Sequence, residues 1–319
     1  QQAYWYARLT DESDNIRAVL NWALINEEYE LAARLAAAMR EFWYVKGVLS
    51  ESSIWIERVL ENEEQISPAV RAKTLNASSR LAFASGDHAA GEHLAHRALS
   101  LADDINDKEI CAWAYLILSS HLMFSPDKIK DAISNAEVGM QLFQELNHKF
   151  GISYGLNLLG EFARLEGDYV RAGRFYKECL AMSKETGNKM REVISLANLS
   201  YIAHHQGDYN QAIDYCRKAL AIEVSLQMEY ASAITLAMIA GPISAMGYPK
   251  QAARMLSASE GQLNIMGAIV QPGDKHEVDR FMRNVRQQLS EDDFNAAWAE
   301  GQSMTMQQAI AEVMSEPSE

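Results

Sequence analysis

His88, Glu92 and His96 stand four residues apart in the stretch DHAAGEHLAHRAL. On a helix that spacing lines up three metal-ligating groups, the sharpest chemical signal in this 319-residue chain. Two features weaken it. No cysteine lies near these histidines in sequence, and His88 falls where sister segments of the chain carry a tyrosine. They are read as structural or solvated, and no metal is expected. His204 and His205 are adjacent, so on a helix they point to different sides and do not form a catalytic pair. Cys111, Cys179 and Cys216 include no CxxC pair. Free cysteine is commonly a small buried hydrophobe, and a nucleophilic one needs an activating base that the sequence does not supply. No G-x-x-x-x-G-K-[ST] phosphate loop occurs, so these residues are not expected to bind or hydrolyse ATP. No catalytic residue and no cofactor is assigned, and the chain is read as a binding protein rather than an enzyme.

The bulk properties narrow the partners. A net charge of −14 argues against a nucleic-acid surface, which needs a basic footprint. No apolar run is long enough to span a bilayer, so no membrane is expected. Sparse, unpaired cysteines fit a reducing compartment and a cytoplasmic location. The first residues, QQAYWYARLT, lack both a starting Met and a signal-peptide pattern. They suggest a piece of a larger or processed protein.

The elements that must position any binding residues are written as a repeat. GDYVRAGRFYKECL begins at Gly167, and GDYNQAIDYCRKAL begins at Gly207. Five residues after each Gly stands Ala172 or Ala212, and the same register reaches Ser52, Gly91, Ala132 and Ala252. Six units at a period near 40 mark a stacked array. Each reads as two helices joined by a tight turn. Gly takes the left-handed conformation past the first helix, and Asp168 or Asp208 caps the second. Gln211 sits at the capping-box position. Gly160 and Ser200 are small where the paired helices must approach. One hairpin cannot bury its apolar face alone, so the unit repeats. Pro242 lies inside the first helix of the sixth unit and is read as the mark of a degenerate last repeat rather than a functional bend. IVQPGDKHEVDR breaks the pattern. After it come helices near 274–289, 292–300 and 305–314, with Trp298, Ile310 and Met314 expected to cover the last hairpin and SEPSE left as a tail.

These hairpins resemble the tetratricopeptide repeat (TPR), best in LLG…GDY…A…FY…C and NLS…GDY…A…YC…A. The period exceeds the usual ~34 residues, implying longer helices. The resemblance implies an all-α, TPR-like solenoid, a right-handed superhelix with residues 1–27 as an N-terminal segment, 28–268 as six hairpins and 269–319 as a cap and tail. It also implies a concave surface lined by the first helix (helix A) of each hairpin. Counting back from each anchor places Arg34, Ala37, Glu41 and Tyr44 there in the first unit, then Lys73, Asn76, Arg80 and Phe83. The third unit supplies Ala114, Ile117, His121 and Phe124, the fourth Tyr154, Asn157, Glu161 and Arg164, and the fifth Ile194, Ala197, Tyr201 and His204. Arginine and aromatic residues together are the usual make-up of binding hot spots.

Both ends resemble bacterial STAND-type regulators, multidomain signalling ATPases of the NB-ARC and LuxR-like kind. At the N-terminus the residues are Asp14, Asn15, Ile16, Arg17 and Trp22, then Phe42, Trp43, Gly47, Glu51, Trp55 and Glu57. At the C-terminus they are Phe294, Trp298, Gly301, Met304 and Ala309. The resemblance implies an upstream nucleotide-binding domain that would hold ATP, and a repeat region that senses an inducer. A protein or peptide suits an elongated groove better than a small molecule does. The alternative is a plain TPR protein–protein scaffold without a switch; an upstream phosphate loop would separate the two.

Overall fold

The structure, a computed structural model, describes residues 2–46, 48–266, 268–270 and 272–315. Gly47 and the tail from residue 316 lie outside the described residues. Among those described there is no strand. The chain divides into two compact units, Gln1–Asn188 and Lys189–Glu319.

The first unit opens with α1 (Gln2–Asp11) and α2 (Ser13–Ile25). Four hairpins follow: α3 (Tyr29–Lys46) with α4 (Leu49–Leu60), α5 (Pro68–Ser85) with α6 (His88–Asp104), α7 (Lys108–Leu122) with α8 (Ile129–Glu145), and α9 (Lys149–Leu165) with α10 (Tyr169–Thr186). The second unit has two hairpins, α11 (Lys189–His205) with α12 (Tyr209–Leu226) and α13 (Glu229–Ala245) with α14 (Pro249–Ile265). It ends in α15 (Pro272–Gln288), α16 (Glu291–Ser303) and α17 (Met306–Met314).

The anchor residues do what their smallness allows. Ser52, Ala132, Ala172, Ala212 and Ala252 have no exposed surface, and Gly91 is buried. A hydroxyl on helix A often locks the pair. Ser79 Oγ donates to Gly91 O (2.7 Å), Ser119 Oγ to Ala132 O (2.7 Å) and Ser200 Oγ to Ala212 O (2.9 Å). In the fourth hairpin Gly160 takes the serine's place, because a Cβ there would overlap the Tyr176 ring. The turns follow the expected chemistry. Gly167 and Gly207 have φ of +79° and +81°, and Asp168 and Asp208 accept from Arg171 N (2.9 Å) and Gln211 N (3.1 Å). Gln211 does not close the reciprocal cap. Its amide turns to Asp214 Oδ2 on its own helix (3.1 Å). The reciprocal box forms instead at Thr305 and Gln308.

The other turn also repeats. Asn106, Asn147, Gly187 and Gln227 have φ between 51° and 69°, near the same 40-residue spacing. Helix α13 runs unbroken through Pro242, which costs one backbone hydrogen bond but does not end the helix.

Four of the N-terminal motif residues, Asp14, Arg17, Glu51 and Trp55, form one network. Arg17 on α2 grips Glu51 on α4 through two bonds (2.5 and 2.8 Å), pairs with Asp14 (2.6 Å), and Trp55 Nε1 donates to the same Glu51 (3.3 Å). The C-terminal motif is structural too. Phe294, Ala297, Ala309 and Val313 enter a core with Leu256 and Met255, and Trp298 packs beside it. Met314 is 49% exposed, so it does not cover the hairpin as expected. Val313, four residues after Ala309, faces inward in its place.

Candidate functional site

In the first unit the helix-A positions divide by depth. Arg34, Tyr44, Lys73, Phe83 and Phe124 are exposed, while Ala37, Glu41, Arg80, Tyr154, Asn157, Glu161 and Arg164 are half-buried. Asn76 and His121 are not at the surface, and Ala114 and Ile117 are likewise buried. Asn76 Nδ2 donates to Ile110 O (3.3 Å). His121 Nε2 lies 3.1 Å from Ser79 Oγ and from Ser79 O, and burial pushes its imidazole down to about 4. These two support the surface from beneath. Position along a helix gives the side, but a neighbouring ring decides the depth.

That ring is part of a cluster. His88 stacks on Phe124 at 4.2 Å, and Phe83 meets His88, His121 and Phe124 within 5.6–5.9 Å. Glu92, by contrast, holds Lys128 (2.7 Å). Arg80 lies over two rings, Tyr154 at 5.0 Å and Trp113 at 5.6 Å. Such contacts hold a cation in place without neutralising it. Trp113 was missed by position counting. It sits one residue before Ala114, and its size alone was the available signal. Tyr154 Oη is 3.3 Å from Ser120 Oγ. Further along, Arg164 Nη2 donates to Glu161 Oε2 (2.6 Å) and Tyr176 Oη to Glu161 Oε1 (2.8 Å), so this carboxylate is already engaged.

Arg34, Lys73 and Arg80 have no ion-pair partner among the described residues. Arg97, Lys128 and Arg164, by contrast, each pair with a carboxylate. The result is a set of exposed and half-buried aromatic rings together with cations that have no ion-pair partner. The thiols offer no competing chemistry: Cys111 and Cys216 are buried and pushed up to about 12, chiefly by loss of solvation.

The tetratricopeptide-repeat family matches residues 152–222. These residues are tetratricopeptide repeats. The chain is 29% identical over 109 residues to a putative HTH-type transcriptional regulator of Mycobacterium tuberculosis, covering 32% of this chain and 12% of the regulator. The chain therefore corresponds to a small part of that relative's length. A STAND protein with a tetratricopeptide-repeat sensor from Pyrococcus horikoshii superposes with a TM-score of 0.60 at 14% identity, over 94% of this chain and 45% of that one. NprR in complex with its cognate peptide NprX superposes with a TM-score of 0.57 at 14% identity, over 95% and 88% of the two chains. The fold is an all-α, TPR-like solenoid.

The second unit presents its repeat face differently. Tyr201 and His204 are half-buried. His204 meets Phe281 of α15 at 5.0 Å, and Tyr201 packs on His205 at 4.2 Å. Burial pushes the His204 imidazole down to about 4. The surface expected to be open at His204 is covered by the chain's own helix. No helix among the described residues is long and apolar enough to cross a membrane.

Proposed function

We propose that this chain is the ligand-sensing repeat region of a STAND-type bacterial regulator, and that the helix-A face of its first unit binds a peptide or an extended protein segment. The observation that carries this is Arg80, held over Tyr154 and Trp113 with no carboxylate partner and flanked by exposed Phe83 and Phe124. Fixed cation and apolar rings together suit a segment with an acidic group beside an apolar side chain. Similarity to a STAND repeat sensor and to a peptide-bound receptor supports the reading, as do the paired motifs at both ends. Binding, rather than catalysis, is the task proposed for these residues, and ATP belongs to a separate nucleotide-binding domain of the regulator. The bound segment would act as a switch only by favouring one arrangement of the regulator over another.

Selection of a phage-displayed random-peptide library on the purified chain tests this. Peptides enriched on the wild type should carry Asp or Glu next to an apolar residue. Arg80→Ala is expected to weaken them about 30-fold, the ~2 kcal/mol typical of a hot spot. Equal affinity for Arg80→Ala, with unchanged melting, would remove the proposal.

A further inference from the structure

The second unit carries its own occupant on the repeat face. Helix α15 has four large apolar side chains, Val278, Phe281, Met282 and Val285, at the i, i+3, i+4, i+7 spacing of one helical stripe. It packs this stripe against α13 and α14 and reaches α11 at His204 and His205. Phe281 packs where Gly241 has no side chain, and a Cβ on Gly241 would overlap the Phe281 ring. Gln288 Nε2 donates to Ser244 Oγ (2.8 Å). Glu277 Oε2 lies 2.6 Å from Arg280 Nη2 and 3.5 Å from His205 Nε2. An amphipathic helix laid in a groove of other helices is a common way for a partner to bind.

The fit of α15 is incomplete. His204 Nδ1 and Arg280 Nε are buried without a hydrogen-bond partner, a cost the docked helix must carry. A cleft of about 280 Å³ stays open beside it, lined by His204, Tyr209, Ser244, Arg280, Asn284 and Gln287. Residues 268–270 before α15 and 289–290 after it are not helical. The later helices have attachments of their own. Ser257 Oγ donates to Trp298 O (2.6 Å), Arg217 Nε to Val313 O (2.7 Å), and Arg254 pairs with Glu312 (2.8 Å). Releasing α15 leaves these bonds in place.

We infer that α15 is a displaceable occupant of the helix-A face of the second unit, and that this face takes in its place an amphipathic helix of a protein partner, with an aromatic side chain at Gly241 and a carboxylate at His205. Such a partner gains by filling the open cleft and by meeting the orphaned His204 nitrogen. It pays for displacing α15 out of the same binding free energy, so α15 sets a threshold on which partners bind. The inference is independent of peptide binding at the first unit.

Two measurements on the 319-residue chain test it. Hydrogen exchange of the wild type should show α15 amides exchanging at least about tenfold faster than those of α14 and α16, as expected for a segment that opens without global unfolding. A labelled peptide of residues 272–289 should bind the Phe281→Ala chain at least about tenfold tighter than the wild type, whose groove is filled. Adding Gly241→Ala should abolish that binding, because the new Cβ meets the peptide's own Phe. Protection of α15 equal to that of α14 and α16 would overturn the inference, and so would peptide binding no tighter in Phe281→Ala. If Phe281→Ala does not fold, the exchange of the wild type decides alone.

Discussion

Gly301→Ala is expected to destabilise the second unit by about 3 kcal/mol, the upper end of what overpacking costs. Gly301 lies on α16 where it crosses α14. A Cβ there would overlap the carbonyl oxygen of Arg254 and stand 2.8 Å from both Arg254 Cα and Ser257 Cβ. Two of those three atoms are backbone in the middle of a helix, so no side-chain rotation relieves the contact. Alanine would gain about 1 kcal/mol over glycine as a helix former, and the overlap outweighs that gain. Urea unfolding followed by helical circular dichroism measures the change. Gly261→Ala is the matched control, since its Cβ meets nothing nearer than 3.9 Å. It should leave stability unchanged or slightly raised. Equal midpoints for Gly301→Ala and wild type would show that α16 does not pack this closely on α14.

Glu223→Gln is expected to stabilise the second unit at pH 8 by about 3 kcal/mol more than at pH 4. Glu223 is 1% exposed on α12. Thr235 Oγ1 donates to its Oε1 at 2.9 Å, and its Oε2 has no hydrogen-bond partner. Loss of solvation raises its carboxyl to about 7, against the bonds that hold it down. The sign follows from proton counting. Between the ordinary value of 4.5 and about 7, the folded chain keeps a proton that the unfolded chain has lost. The stability tied to that proton is complete below pH 4.5 and is lost as the pH rises through 7. Glutamine keeps the Thr235 contact and has no proton to lose, so the variant lacks this loss. The pH dependence of other groups, such as His204, is common to both proteins and cancels in the difference. Urea midpoints at pH 4 and pH 8 decide it. Parallel pH dependence in both proteins would mean that Glu223 is solvated in the folded state.

Much of the hairpin architecture was legible because a small residue is demanded wherever two helices approach closely. Ser52, Gly91, Ala132, Ala172, Ala212 and Ala252 recur for that reason, and all six are buried. The turn glycines and their aspartate caps were legible for the same kind of reason, since few residue types take left-handed φ or cap a helix. The second recurring turn was harder to see. Asn106, Asn147, Gly187 and Gln227 share a conformation but not a residue type.

The binding face was only half legible. Helix-A counting identified the side on which Arg80, Phe83 and Tyr154 lie. It could not show that Trp113 would reach under Arg80, or that Asn76 and His121 would be covered. These are tertiary events: Trp113 comes from the next hairpin, Phe83 of the preceding hairpin meets His121, and Asn76 is tied to Ile110 O. The position of α15 was the largest omission. Its sequence is amphipathic and reads equally well as a cap. The signal that pointed to the groove was Gly241, a glycine in the middle of an apolar helix, which is costly unless something packs against it. That something is Phe281.

The central claim is that ligand binds on the helix-A face of the first unit. Photo-crosslinking tests it most directly. A benzophenone amino acid is placed at Phe124, which is 51% exposed beside Arg80's hairpin, or at Val170, which is 78% exposed on α10. Each chain is irradiated with a peptide selected on the wild type. The account predicts strong labelling from position 124, lost on adding Arg80→Ala, and little from position 170. Labelling from position 170 alone, or from both positions alike, would place the ligand elsewhere and contradict the account.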